Sequence, residues 1–336
     1  MSQYAHFSKA DSPELAAAVA QLPPSQLIGD IQKVRDAADA MFKGAADAVK
    51  KILPPESTYT FQDHKVPVDG GEITVRAVAP TPVDGEDGTF PLLVWYHGGG
   101  WALGDIEQSD AILRALSVKF RMSTLNVDYR LAPEHPFPAG HDDSYYALKW
   151  AAENPTLLKA SLAKGFVAGG QSAGGNLAGS VALRAAEDPF FEGRKLTGQY
   201  LQIPATVHPS AYPEKYKSEL LSIEQNKDAP VLGKDAMLGF EKWLGAPPDH
   251  PNFSILLHPA HAKAPPAYIQ ISGLDPLRDE GILYAKVLQE AGVTVQYDVY
   301  PGLPHAGQQL LPDLEISKKF HGDLYSHIPW LFNGGK

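Results

Sequence analysis

The residues best placed to do chemistry lie in Val167-Ala168-Gly169-Gly170-Gln171-Ser172-Ala173-Gly174-Gly175-Asn176. A short apolar run enters glycines, meets one serine, and leaves as the helical pattern that starts at Asn176. Gly170-Gln171-Ser172-Ala173-Gly174 is therefore G-x-S-x-G in a strand–turn–helix setting, and its small residues permit a tight, strained turn that exposes the hydroxyl. The first-turn amides of the helix favour negative charge there. A serine hydroxyl is a poor nucleophile until a neutral imidazole takes its proton, and a carboxylate fixes that imidazole's tautomer and stabilises the imidazolium formed. Because the base has to be neutral, activity is expected to rise with pH through roughly 6–7, the ordinary imidazole range.

Ser172 is thus a candidate nucleophile, and three other strand ends carry groups that could serve it: His97-Gly98-Gly99-Gly100-Trp101, Asp275 after Ser272-Gly273-Leu274, and His305 after Tyr300-Pro301-Gly302-Leu303-Pro304. The order Ser…Asp…His is the one that accompanies this serine turn. Glycines 98–100 let backbone amides approach a substrate without an intervening side chain, and the Ala173 amide would add another donor to an oxyanion site. Asp279, near the start of the next helix, competes with Asp275 as the acid or serves as a helix cap. His258 and His261 have H-x-x-H spacing, yet flanking prolines and the lack of a third ligand make them loop histidines, so no metal or other cofactor is expected. His97 reads as a brace for the glycine loop. Trp101, Tyr216, Phe240 and Trp243 are candidates for the substrate pocket, with ordinary packing as the competing reading.

These groups need a scaffold. Residues 12–50 read as helical, with Ser12 as cap and Pro13 at the first position. After Pro23-Pro24, an apolar face formed by Ile31, Val34, Ala38, Met41, Ala45 and Val49 must be buried, either as a lid or on the outer surface. From about Thr58 the pattern turns to strands: a hairpin around Asp69-Gly70-Gly71, the continuous apolar run Pro91–Tyr96, then strands near 122–129, 165–170, 200–207, 267–272 and 293–300. Helices are predicted between them, at 109–120, 142–154, 176–187, 280–290 and 312–331. The alternation predicts an α/β fold with a mostly parallel sheet and helices on both faces. Residues 209–247 interrupt it with helical pieces near 217–226 and 234–244 and no strand, which suits a lid insertion.

Composition narrows the function classes. A 336-residue chain with 44% hydrophobic and 20% charged residues is an ordinary globular composition. The net charge of −10 and the absence of a basic, aromatic-interleaved stripe argue against nucleic acid. Without cysteine there are no disulfides or thiolate zinc sites. No run approaches the roughly 18 apolar residues of a membrane span, and the first residues lack a secretory pattern, so a cytosolic location is the expectation.

Taken together, His97-Gly98-Gly99-Gly100-Trp101, Asp128-Tyr129-Arg130-Leu131-Ala132-Pro133-Glu134, Gly170-Gln171-Ser172-Ala173-Gly174-Gly175-Asn176, Asp275-Pro276-Leu277-Arg278-Asp279-Glu280 and His305 resemble the hormone-sensitive-lipase-like carboxylesterases, a group with the α/β-hydrolase fold. The resemblance covers about residues 60–330. It implies Ser172 as nucleophile, Asp275 rather than Asp279 as the acid, His305 as the base, and an oxyanion hole from Gly98, Gly99, Gly100 and Ala173. It also implies a helical cap made of residues 1–55 and the insertion near 209–247, with the catalytic domain over 56–336. Two departures stand out: Gln171 where relatives often have an acid, and Ala306-Gly307 where they often have Gly-Phe. The expected reaction is hydrolysis of small to medium carboxylic esters through an acyl-Ser172, with a small-molecule ester as partner and a homodimer as the assembly to test. The rivals are an arylformamidase-type amide hydrolase, a lyase or cyclase, and a small-molecule receptor on the same fold. His305 argues against the receptor.

Overall fold

The computed structural model describes residues 3–51 and 53–336; the side chains of Ala45 and Val49, two positions of the predicted apolar face, lie outside the described residues. The strands are β1 (Tyr59–Val68), β2 (Gly71–Pro80), β3 (Leu92–Tyr96), β4 (Ser123–Asp128), β5 (Phe166–Gln171), β6 (Gly198–Gln202), β7 (Ala267–Leu274) and β8 (Val295–Pro304). The helices are α1 (Pro13–Val19), α2 (Ile31–Lys50), α3 (Glu107–Phe120), α4 (Ala139–Glu153), α5 (Ala173–Glu187), α6 (Ser222–Gln225), α7 (Lys234–Leu244), α8 (Arg278–Glu290), α9 (Gly307–Leu310) and α10 (Glu315–Phe332).

The strands form one sheet in the order β1-β2-β4-β3-β5-β6-β7-β8. β2 runs antiparallel to β1 and β4, and from β4 to β8 every pairing is parallel. β3 is buried along its whole length, and its alternation divides the core. Leu92, Val94 and Tyr96 enter the cluster with Leu148 of α4 and Leu177 and Val181 of α5. Leu93 and Trp95 enter the opposite cluster with Leu113 of α3 and Leu324 of α10. Each such side chain contributes about 1.5–3 kcal/mol of burial, which is why the run lacks the polar alternation of an edge strand.

The sheet order also fixes where a site can form. From β3 the chain crosses to β4 on one side and then returns to place β5 on the other. In an open α/β sheet the crevice at such a reversal, beyond the carboxyl ends of the strands, accepts ligands. His97-Gly98-Gly99-Gly100 leaves β3 and Ser172 leaves β5, so both border that crevice.

Helical segments roof it. Val34 and Ala38 of α2 pack with Ala102 and Leu103 beyond the glycine loop, with Ala236, Met237 and Phe240 of α7, and with Leu277. Arg35 crosses the junction: its Nε donates to the Ala102 carbonyl at 3.1 Å, and its guanidinium holds both oxygens of Glu134 at 2.8 Å. The helical arm is not continuous, because α1 and α2 are separated by an irregular stretch that contains Pro23 and Pro24. Ser12 caps α1 by accepting from the Leu15 amide.

Two predicted elements are corrected. The strand expected over 200–207 ends at Gln202, shortly before Pro204, which has no amide to donate to a ladder. The helix expected over 217–226 reduces to the single turn α6, where Asp279 captures the Leu221 and Ser222 amides and fixes the chain. The last predicted helix, 312–331, is α10, and the single turn α9 precedes it.

Candidate active site

Ser172 occupies the junction of β5 and α5 with φ 56° and ψ −117°, a conformation costly for any residue with a side chain. The surroundings hold it there. The Ser172 amide donates to the Gln202 carbonyl at 2.7 Å, and its carbonyl accepts from Asn176. The turn must also pass close to β3: a Cβ at Gly174 would overlap the Tyr96 carbonyl oxygen, so only glycine fits.

The three candidate catalytic side chains meet in a line. Ser172 Oγ lies 2.9 Å from His305 Nε2, and His305 Nδ1 lies 2.7 Å from Asp275 Oδ2. The other Asp275 oxygen accepts from the Leu277 amide at 2.9 Å, and Asn226 donates to the Asp275 carbonyl. Asp275 and His305 are buried. With Nδ1 facing a carboxylate, the imidazole carries its proton on Nδ1 and offers Nε2 as acceptor for the serine proton.

Asp279 is placed elsewhere. It is fully buried, pairs with Arg278 Nε at 2.8 Å and anchors the start of α6, so it is a structural acid. Arg278 continues that anchor to Ser8 and Gln225.

The glycine loop supplies donors. Among the described residues, none of the amides of Gly99, Gly100 or Ala173 is engaged by a loop or cap acceptor. Gly100 has φ +58°, and a Cβ there would collide with the Phe240 ring, which locks α7 onto the loop. His97 is the brace expected: its ring stacks on Tyr129 at 4.3 Å, its Nδ1 lies 2.8 Å from the Gly98 carbonyl, and Tyr129 donates to the His97 carbonyl. Burial pushes its pKa down to about 4, so it stays neutral.

A cavity of about 1110 Å³ opens onto these atoms; Ser172, Ala173, His305 and Gly98–Gly100 line it. Trp101 and Phe240 line it as expected. Tyr216 and Trp243 do not, and this corrects the sequence reading. Trp243 packs edge-on against the outer side of the Phe240 contact at 5.6 Å, and Tyr216 lies in a turn beneath the side chain of Lys215. Gln171 is buried and accepts from Gln309 at 3.2 Å, while Ala306, Gln308 and Gln309 line the cavity at the other departure from the family pattern. Sequence reasoning missed Glu241, a cavity residue on α7. Its signal was available: Met237, Phe240, Glu241 and Leu244 share one buried helix face, and a carboxylate on such a face is out of place.

His258 and His261 are loop histidines. His258 Nδ1 accepts from the Ala260 amide, and His261 Nε2 lies 2.8 Å from the Ile255 carbonyl. Among the described residues no group of three or more His, Asp or Glu could hold a metal, and no helix is long and apolar enough to cross a membrane.

Known proteins share this architecture. Residues 93–309 match the model of a family described as alpha/beta hydrolase fold. The chain is 37% identical over 278 residues to carboxylesterase NlhH of Mycobacterium tuberculosis, covering 80% of this chain and 82% of that protein. It is 34% identical over 300 residues to versiconal hemiacetal acetate esterase of Dothistroma septosporum, covering 89% of each. Among solved structures, a vibralactone cyclase is similar at 40% identity with a TM-score of 0.93, covering 98% of this chain and 96% of that one.

Proposed function

This chain belongs to the α/β-hydrolase fold family, and we propose that it is a serine carboxylesterase with Ser172 as nucleophile, His305 as base and Asp275 as orienting acid. The observation that carries the reading is the hydrogen-bonded line from Ser172 Oγ through His305 to Asp275, at 2.9 and 2.7 Å. As Ser172 Oγ attacks the ester carbonyl carbon, its proton passes to His305 Nε2, and the developing oxyanion takes the free amides of the glycine loop and Ala173. The carbonyl re-forms, the C–O bond to the alcohol breaks, and His305 returns the proton to the leaving alcohol. Water then repeats the attack on the acyl-Ser172, releasing the acid and restoring the hydroxyl. Residues 1–55 and the insertion near 209–247 act as the cap, and α2 and α7 roof the cavity. The relatives named as esterases support the choice of ester over other acyl substrates.

The test is a set of p-nitrophenyl esters of increasing acyl length, assayed with the native enzyme and Ser172→Ala. The variant is expected to lose about 10⁴-fold or more in turnover. Hydrolysis by Ser172→Ala at the native rate would contradict the mechanism.

A second reading rests on the likeness to a cyclase. A hydroxyl on the acyl group would attack the acyl-Ser172 carbonyl in place of water and give its proton to His305, releasing a lactone and free Ser172. Product mass distinguishes the two, since the lactone lacks the added water.

A further inference from the structure

The strands that carry the acid and the base are not paired evenly to their ends. Ser272 of β7 faces Tyr300 of β8, and the next pair is Leu274 with Pro304, so one residue of β7 stands against three of β8. Such an irregularity disrupts the ladder locally and bends the strand that carries the extra residues. Asp275 follows Leu274 directly and His305 follows Pro304. The two side chains that meet at 2.7 Å therefore sit just beyond the break, where regular strand pairing no longer sets their relative position.

A distant part of the chain fills that break. A Cβ on Gly273 would lie 2.2 Å from the Phe7 carbonyl oxygen, and one on Gly302 would lie 2.3 Å from Ala10 Cα. The same short segment thus crosses both strands backbone to backbone, and a side chain at either glycine would push it off. Ser8 lies between the two crossings, and its Oγ accepts from Arg278 Nη1 at 2.6 Å. Arg278 in turn holds Asp275 from both sides: Nη1 reaches the Gly273 carbonyl at 3.3 Å, and the Arg278 amide donates to the Asp275 carbonyl at 3.2 Å. On the side of the base, Leu15 of α1 is buried in one cluster with Leu303 and Ala306, which flank His305. Among the described residues, none before Leu27 lines the cavity.

We propose that the segment Phe7–Leu15 aligns Asp275 with His305 by bridging the break in the β7–β8 ladder, with Ser8 as its positioning residue. The segment touches neither substrate nor reacting atoms. It acts through Arg278 on the acid and through Leu303 and Ala306 on the base, and a displacement of about 1 Å at such a pair costs about 10²-fold in rate. This rests on the esterase reading above and gives the first part of the cap segment a task separate from roofing the cavity.

The test measures p-nitrophenyl butyrate hydrolysis by Ser8→Ala and Ser8→Thr, each assayed below its own Tm. In Ser8→Ala kcat is expected to fall about tenfold or more while KM stays within about twofold, because the segment lies outside the cavity wall. Ser8→Thr, which keeps the hydroxyl, retains most of kcat. The decisive reading is a double-mutant cycle with Asp275→Asn. Once the carboxylate is gone there is no alignment left to lose, so Ser8→Ala lowers the Asp275→Asn rate by no more than about twofold. Leu15→Val, which loosens the contact with Leu303 and Ala306, takes the place of Ser8→Ala in the same cycle if that variant fails to fold. Full kcat in the variant, or the same fractional loss with and without Asp275, would overturn the proposal in favour of ordinary packing. A raised KM with kcat unchanged would overturn it in favour of a role in the cap. Equal rates for the native enzyme and Ser172→Ala would overturn the esterase reading itself and this proposal with it.

Discussion

At the strand ends each reacting side chain is fixed by protein hydrogen bonds: Ser172 to His305, His305 to Asp275, and Asp275 to the Leu277 amide. Across the same cavity, on the helical roof, Glu241 Oε2 of α7 is buried with no such bond. The floor is complete before any substrate arrives, as acyl transfer needs, because donors and acceptors already in place cost no reorganisation during reaction. The roof is held mainly by apolar packing of α2 and α7. The floor therefore carries the groups proposed to react, and the roof encloses them.

The largest effects should separate two acids only four residues apart. Asp275→Asn is expected to lower turnover by about 10³–10⁴ with little change in Tm, because it leaves the imidazole without its orienting carboxylate. Asp279→Asn should act on folding, at about 3–5 kcal/mol, since it strands Arg278 in a fully buried position. Stopped assays and thermal melts of both variants check this, and an exchange of the two phenotypes would break the assignment. Next comes the joint between floor and roof. Gly100→Ala drives a methyl into the Phe240 ring and displaces a proposed oxyanion donor, so turnover should drop about 10²–10³-fold. Adding Phe240→Ala should restore part of that loss, and strict additivity of the pair would show that the roof does not set the loop.

A smaller effect reads the roof's carboxyl directly. Glu241 has a pKa of about 8 in the folded chain against an ordinary 4.5, so the folded state holds its proton over a range where the unfolded state has lost it. The native protein should therefore lose stability as pH rises from about 4.5 to about 8, relative to Glu241→Gln, and run parallel to it above that range. The groups near Glu241 are His208, the buried Glu280 and Tyr212. Denaturant melts across that pH range give the slope, and parallel curves throughout would place the carboxylate in its charged form. The smallest change is expected from Arg35→Ala. Its partner Glu134 is half exposed, so the loss should be about 0.2–1 kcal/mol.

The contrast between floor and roof also explains what could be read from sequence. The floor is written in backbone requirements: glycines where chains cross closely, an apolar run for a strand buried on both faces, and polar residues at strand ends. Those requirements pointed to Ser172 and His305 and left Asp275 and Asp279 as competitors; the family resemblance implied Asp275, and the structure brings Ser172, His305 and Asp275 together. The roof obeys side-chain packing with few backbone signatures. Aromatics on its helices fit pocket and packing equally well, so Phe240 faces the cavity while Trp243, three residues on, supports it from behind. The shortening of the helix expected over 217–226 depends on Asp279, far along the chain, and no local pattern there encodes that capture. Glu241 was legible only as an out-of-place carboxylate on an apolar helix face.

The central claim is that Ser172 is the nucleophile of ester hydrolysis. Diethyl p-nitrophenyl phosphate transfers its phosphoryl group irreversibly to an activated serine, so peptide mass mapping can be run beside residual activity. The account predicts one diethylphosphoryl adduct on the peptide containing Ser172, rising in proportion to lost esterase activity. Activity lost while Ser172 stays unmodified, or full activity with Ser172 modified, would contradict it.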